Sequence, residues 1–302
     1  MLNEVNYLAS PRRVAPPDLL PQVENLLHNA TGPRGHPSGS SDEAAHDHLS
    51  SGGRRVRARL ALDACRKLAI CEVDSVILAA CVELIHNASL IHDDVIDQSE
   101  WRRGRKTILS THGSEVAVCT GDLLLSAAYG VLAGFNEVKK LPKILTIIHR
   151  SIALAIHGQC AERLPVVMGD ALWDSYDHVV VAKSGALLLL PLELALTMGD
   201  HEEHIPKARR AVCAFAIAYQ IADDLQDLSL DRGDHAHPPA FNSVLMLEAA
   251  GHQGDAEITA GSYAKERLSE AIRAASELPS GSGELLVRLA REMLNTLWPK
   301  PL

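Results

Sequence analysis

Two acidic cassettes, each closing an apolar run of helical periodicity, limit how this chain can fold. The first is Asp93-Asp94-Val95-Ile96-Asp97, at the end of ELIHNASLIHDDVID. The second is Asp223-Asp224-Leu225-Gln226-Asp227, at the end of AFAIAYQIADDLQD. On a helix the first and last carboxylates of such a cassette share a face, and the middle one swings about 100° away. Like charges about 4 Å apart cost roughly 4 kcal/mol per pair at an effective dielectric of 20. Such a cluster holds its protons unless a cation sits among the oxygens. Hard divalent ions answer that need, magnesium above all, because it pairs carboxylate with phosphate oxygen more readily than it enters an all-protein cage. The two helix tips therefore point to a shared cavity that grips a diphosphate through metal ions.

The rest of the chain supports a helical scaffold. From Arg54 onward the periodicity predicts helices near 55–71, 74–97, 111–134, 141–168, 174–198, 205–230, 256–277 and 284–297, with a short one over 18–29. Strand signals are almost absent: aromatics are 4%, and the apolar runs are Ala/Leu-rich without alternation. Pro191 is expected to kink or restart its helix. Residues 1–53 read as an N-terminal segment, partly loop or disordered, with 30–53 rich in Gly, Ser, Pro, His and Asp. Residues 54–302 read as one helical domain. The expected fold is all-α, a single-domain bundle of about eight to ten helices around a central cavity.

A formal net charge of −9 argues against nucleic acid as a partner. The six cysteines form no CxxC pair or framework of close spacings, which suits reduced thiols and a cytoplasmic setting. The opening residues MLNEVNYLASPRRVAPPDLL lack a continuous apolar region. The best membrane-span candidate, 186–198, is short and interrupted by Pro191 and Glu193, so no transmembrane segment is expected.

Cations cluster near the first cassette. His86 precedes Asp93 by seven residues, two turns down the same face. The following loop carries Trp101, Arg102, Arg103, Gly104, Arg105 and Lys106, and GGRRVRAR supplies Arg54, Arg55, Arg57 and Arg59. Guanidinium forks suit phosphate oxygens and keep their charge. Arg55, Arg59 and Arg105 read better as solvated or helix-stabilising charges. The His201-Glu202-Glu203-His204 run lacks the i, i+4 spacing of a zinc helix and reads as an exposed turn.

Taken in order, the Gly-Gly-basic stretch, the His seven before DDxxD, the RRG tripeptide, Lys183-Ser184 and QxxDDxxD resemble the trans-isoprenyl diphosphate synthases, or polyprenyl synthetases, over roughly residues 50–230. The resemblance implies an isoprenoid-synthase-type fold and prenyl transfer. Asp93, Asp94 and Asp97, with Asp223, Asp224 and Asp227, would hold magnesium, three ions in all, against the allylic diphosphate. Arg102, Lys183, Ser184 and Gln220 would bind that allylic substrate, and Lys183 joins the aspartates in the catalytic set. Arg54, Arg57, His86 and Arg103 would bind isopentenyl diphosphate. A homodimer is the assembly it implies.

Two departures from the pattern stand out. Arg54 occupies a position where the family usually has lysine. After the second cassette the family's GKxxGxD stretch is replaced by SLDRGDHAHPPAFNSV, with no lysine between Lys207 and Lys265 and only Arg232 to compensate. In such enzymes the side chains just below the first cassette cap the product. Ser89 and Ala88, four and five residues before Asp93, are small, which moves the floor deeper, to Ile85, Val82 or a residue of GDLLLSAAYG on the neighbouring helix. That implies geranylgeranyl diphosphate or a longer product. A class I terpene cyclase would use the same aspartates but would not need Arg57, His86 and Arg103. A non-catalytic partner subunit of another synthase would be expected to have lost aspartates that are intact here.

Overall fold

The computed structural model describes residues 18–32, 41–162, 172–232 and 241–297. Helices α1 (Leu20–Ala30), α2 (Ser41–Ser50), α3 (Val56–Lys67) and α4 (Glu72–Ile96) lead to a ribbon of β1 (Trp101–Arg102) and β2 (Arg105–Lys106). Then follow α5 (Ile108–Gly130), α6 (Leu141–Ala161), α7 (Leu172–Val180), α8 (Ala186–Met198) and α9 (Ile205–Asp231). The chain closes with α10 (Ser243–Ala249), α11 (Ala256–Ser276) and α12 (Glu284–Leu297). The Ala/Leu pattern becomes a bundle in which α4 lies between α3 and α5, while α9 packs on α11 and α8. Every residue of α8 is buried, and α4 contributes Leu78 through Ile85 and then Ala88 and Ile91 to the same core. The expected all-α single domain is what forms.

Several elements differ from expectation. Within the segment read as loop, Ser41–Ser50 is a helix whose buried face is Ala44, Ala45, His46 and Leu49. Its polar composition hides the face: His46 is buried as a core residue, stacked on His28 with ring centroids 5.2 Å apart. The helix read as 174–198 passes through a wider π turn at Val181–Gly185, and Pro191 stays inside α8. The first seventeen residues, and the part of the post-cassette loop at 233–240 with His235 and His237, lie outside the described residues.

The membrane reading also needs correction. Four helical stretches, Glu72–Ile96, Ile108–Gly134, Val138–Ala161 and Leu172–Met198, are long and apolar enough to cross a membrane by length and composition. Glu193 breaks the pattern only in sequence, because folded it is buried and ion-paired with Arg150. The first and last of these stretches are core helices, with 78% and 83% of their apolar windows buried. The middle two keep more apolar surface outward, with 44% and 28% buried.

Candidate active site

The first cassette forms the last turn of α4, after which the chain reverses through the β1–β2 ribbon. Its two-residue loop is Arg103-Gly104, both with positive φ (51° and 75°), and Arg102 pairs with Arg105 across the ribbon. That is the twist a tight hairpin requires, and it explains the RRG tripeptide: glycine supplies the second left-handed position. Arg102 then reaches back to Asp94, its Nε donating to Oδ1 at 2.8 Å and Nη2 lying 2.7 Å from the same oxygen. Asp94 is thereby buried and engaged.

The outer members of the cassette behave differently. Burial holds the Asp93 carboxyl above the usual carboxylate range, with Lys183 and Arg102 pulling it down and Asp97 pushing it up. Lys183 sits in the π turn, its ammonium held by Glu162. Gly158 makes this possible, because a Cβ there would fall 2.2 Å from the Lys183 amide nitrogen. The neighbouring Gln159 has both amide atoms buried and unpartnered.

The second cassette shows the same division. Asp223 is pushed up to about 7, by burial first and then by Asp227 and Asp224. Asp224 is buried with its oxygens taken: Tyr176 Oη donates to Oδ2 at 2.7 Å, Ser243 N–H to Oδ2 at 2.7 Å, and Gln220 Nε2 to Oδ1 at 3.0 Å. Asn242 donates to the Asp224 carbonyl at 2.9 Å and to Asp231 Oδ2 at 2.8 Å, folding the chain back over the cassette.

The homoallylic candidates gather around the Gly-Gly loop. Gly53 has φ 139°, and a Cβ on it would lie 2.8 Å from Arg103 Nη1, so the guanidinium lies directly against the loop. Arg57 Nε and His86 Nδ1 are buried without a partner. Burial, with Arg57, Arg103 and Arg102 nearby, holds His86 well below the ordinary histidine range. Burial also brings Arg57 down to about 10. Tyr219 connects this group to the second cassette: after burial, its phenol feels Asp223 on one side and Arg54, Arg103 and Arg57 on the other.

Some assigned roles change. Asp94 and Asp224, expected among the metal ligands, are the middle members of their cassettes. The 100° swing turns them into the protein, while Asp93 and Asp223 are half-buried and Asp97 and Asp227 exposed, which makes these four the candidate ligands. Gln220 braces Asp224, its Nε2 donating to Oδ1 at 3.0 Å. Arg55 is not a solvated charge: it is buried at φ 46°, with Nε 2.7 Å from Glu24 Oε1, Nη2 donating to the Leu49 carbonyl at 2.7 Å, and Nη1 3.5 Å from Glu83. Arg232, weighed as a substitute for the missing lysine, is ion-paired with Glu248. Of the chain-length residues, Ala88 and Ile85 lie in the core at 0% and 2% exposure. Ser89 is half-buried on the Asp93–His86 stripe, and Ser184 is half-buried beside Lys183. Glu162, Tyr176, Tyr219, Asn242 and Ser243 were not singled out from sequence; only Tyr219, four residues before Asp223, carried a local spacing signal.

Metal-ligand geometry bears on the cassettes as well. Among the described residues, the one trio of ligand atoms within 4.8 Å of one another is His201, Glu203 and His204, at the start of α9. Cassette carboxylates set farther apart suit ions shared with phosphate oxygens. Oxygen-only donors, one of them with its proton held to about pH 7, fit magnesium.

Comparison with known proteins settles the family. The polyprenyl synthetase model matches residues 40–238. The chain belongs to the polyprenyl synthetase family. A geranylgeranyl diphosphate synthase of Cyanophora paradoxa is 31% identical over 217 residues, 68% of this chain and 71% of that protein. An octaprenyl diphosphate synthase of Haemophilus influenzae is 30% identical over 60% of this chain and 54% of its own length. The alignments thus span from about half to 71% of these relatives. The fold matches a geranylgeranyl pyrophosphate synthetase structure from Pyrococcus horikoshii with a TM-score of 0.76 at 24% identity, covering 91% of this chain and 95% of that one.

Proposed function

We propose that the chain is a trans-prenyl diphosphate synthase that condenses isopentenyl diphosphate head-to-tail with an allylic diphosphate. The observation that carries this reading is the pair of orphaned cationic-site atoms, Arg57 Nε and His86 Nδ1, beside Arg54 and Arg103 and across Tyr219 from Asp223. Two anion subsites then share one cavity, which a terpene cyclase would not need. The four outward carboxylates are intact, which argues against a silent partner subunit.

On this reading Arg54, Arg57, Arg103 and His86 hold the isopentenyl headgroup. Arg102 and Lys183 take the allylic headgroup, exchanging Asp94 and Glu162 for phosphate oxygens. Asp93, Asp97, Asp223 and Asp227 would hold magnesium, which when bound neutralises the departing diphosphate. The allylic C1–O bond breaks, the isopentenyl double bond attacks the cation through C4, and a proton is lost to the released diphosphate. The fixed cations stabilise charge that grows on the leaving group.

The product is geranylgeranyl diphosphate or longer, as the small Ser89 on the cavity stripe supports. Homodimerisation is supported by exposed Val118, Tyr129, Val138 and Ile156 on the α5–α6 side. A cytoplasmic setting accords with six free cysteines. The test is mass analysis of products from isopentenyl diphosphate paired in turn with dimethylallyl, geranyl, farnesyl and geranylgeranyl diphosphates. No condensation with any primer in magnesium would overturn the activity, and termination at farnesyl would overturn the length.

A further inference from the structure

A recess of about 350 Å³ opens between α2, the last turns of α4, the β1–β2 ribbon and the first turn of α5. Its walls carry Arg102, Arg103, Arg105, Lys106, His48 and His112. Of the six cassette carboxylates only Asp94 lines it, and Arg54, Arg57, His86 and Lys183 do not, so it lies outside the catalytic cavity and shares only Arg102 and Arg103 with it. Asp94 is already committed to Arg102, which leaves Asp47 as the one other acid on the walls. Among the described residues Arg103, Arg105 and Lys106 form no ion pair, and Lys106 instead lies 5.9 Å over the Trp101 ring. The floor is buried and polar: the side-chain oxygen of Asn87 lies 3.1 Å from His48 Nε2, and the Thr107 hydroxyl donates to the Ser99 carbonyl at 2.8 Å. Burial, and then the field of Arg102, Arg55 and Arg103, brings His48 down to about 4.

Such a concentration of uncompensated cations over one concavity attracts anions, and the guanidinium forks select phosphate oxygens. We propose that this recess is a third anion subsite, which takes the diphosphate group of the released product or of excess substrate and draws Arg102 away from Asp94. The occupant then competes with the allylic headgroup for Arg102, so the site is inhibitory. This rests on the diphosphate chemistry proposed above.

The test uses the full-length protein with inorganic diphosphate in EDTA, where the cassettes lack metal and repel the anion. Calorimetry should give about two equivalents bound to wild type, in the homoallylic subsite and the recess, and about one to the Arg105→Ala/Lys106→Ala variant. Equal stoichiometry in both proteins would overturn the proposal. His112→Glu keeps every arginine and lysine and places a carboxylate in the recess. It should also lose the second equivalent, which covers the case in which the double variant does not fold. In turnover assays the variants should keep wild-type rates at low substrate while inhibition by the occupant weakens at least tenfold. Relief confined to added inorganic diphosphate identifies product as the source, and relief confined to excess isopentenyl diphosphate identifies substrate. Relief of neither overturns the inhibitory role. Absence of prenyl transfer in wild type with two equivalents still bound would reject the proposed activity and leave the anion site standing.

Discussion

Asp223→Asn should stabilise the metal-free protein and inactivate the enzyme. The folded protein holds the Asp223 proton until about pH 7, against an ordinary value of 3.8. An acid whose folded pKa is raised stabilises the fold most below its unfolded value, and that contribution is lost as pH climbs through the folded value. Above pH 7 the metal-free protein therefore carries the whole cost of an ionised Asp223. At 1.36 kcal/mol per pH unit the interval corresponds to about 4 kcal/mol; partial exposure of the carboxylate screens this to roughly 2 kcal/mol. Asparagine keeps the shape and removes the charge. In EDTA at pH 8.5 the variant should melt on the order of 4 °C above wild type, since each kcal/mol moves a chain of this size by about 2 °C. The gain should be smaller at pH 5, where wild type still holds its proton. Magnesium should raise the wild-type melting temperature more than that of the variant, and turnover in magnesium should fall by about 100-fold or more. Thermal melts at both pH values, with EDTA or magnesium, check this. Identical melting at pH 8.5 in EDTA, or a larger gain at pH 5, would refute the reasoning.

Arg55→Gln removes one partner from a buried ion-pair network and should cost about 3–5 kcal/mol. In chemical denaturation with parallel kinetics, KM for isopentenyl diphosphate should rise more than KM for the allylic substrate, because Arg55 sets the junction between the Gly-Gly loop, which carries Arg54, and the first turn of α3, which carries Arg57. Tyr176→Phe leaves buried Asp224 short of one donor and should cost about 1–3 kcal/mol. A magnesium titration of activity should shift to higher concentration as Asp223 and Asp227 lose their brace; an unchanged titration would mean that Asp224 does not position them. Ser89→Phe should shorten the product by at least one isoprene unit, read by mass analysis, and an unaltered product distribution would place the tunnel elsewhere.

What could be read from sequence was local. The first cassette at the end of α4, the His86–Asp93 register and the RRG turn all lie within a few turns of one another, and each survives in the folded protein, whereas the second cassette lies within α9, which runs on to Asp231. The different fate of Asp94 and Asp224 was implicit in the 100° step, but their partners were not. Arg102 comes from beyond a chain reversal, while Tyr176 and Ser243 come from other helices. The same holds for Glu162 on Lys183, where α6 meets the π turn through Gly158. Helix α2 escaped because histidines and aspartate fill a stretch whose buried face is mostly alanine and leucine. Arg55 escaped because a buried arginine is recognisable only from the acids around it, and Glu24 and Glu83 stand on separate helices.

The two proposed subsites differ in how their cations are held before substrate arrives. Arg102 and Lys183, on the allylic side, each rest on a protein carboxylate, Asp94 and Glu162. Arg57 and His86, on the homoallylic side, have buried nitrogens with no partner. An allylic headgroup must therefore displace two carboxylates, whereas the isopentenyl headgroup fills vacant donors. The first exchange gains little unless the displaced acids and the outer aspartates are neutralised at the same time, which is what the magnesium requirement supplies on the proposed reading. In the Arg105→Ala/Lys106→Ala variant, where the recess no longer takes a diphosphate, isopentenyl diphosphate should consequently bind the metal-free protein measurably while the allylic substrate binds far more weakly. Equal metal dependence for the two ligands, measured by calorimetry in EDTA and in magnesium, would remove the basis for assigning Arg102 and Lys183 to the allylic side.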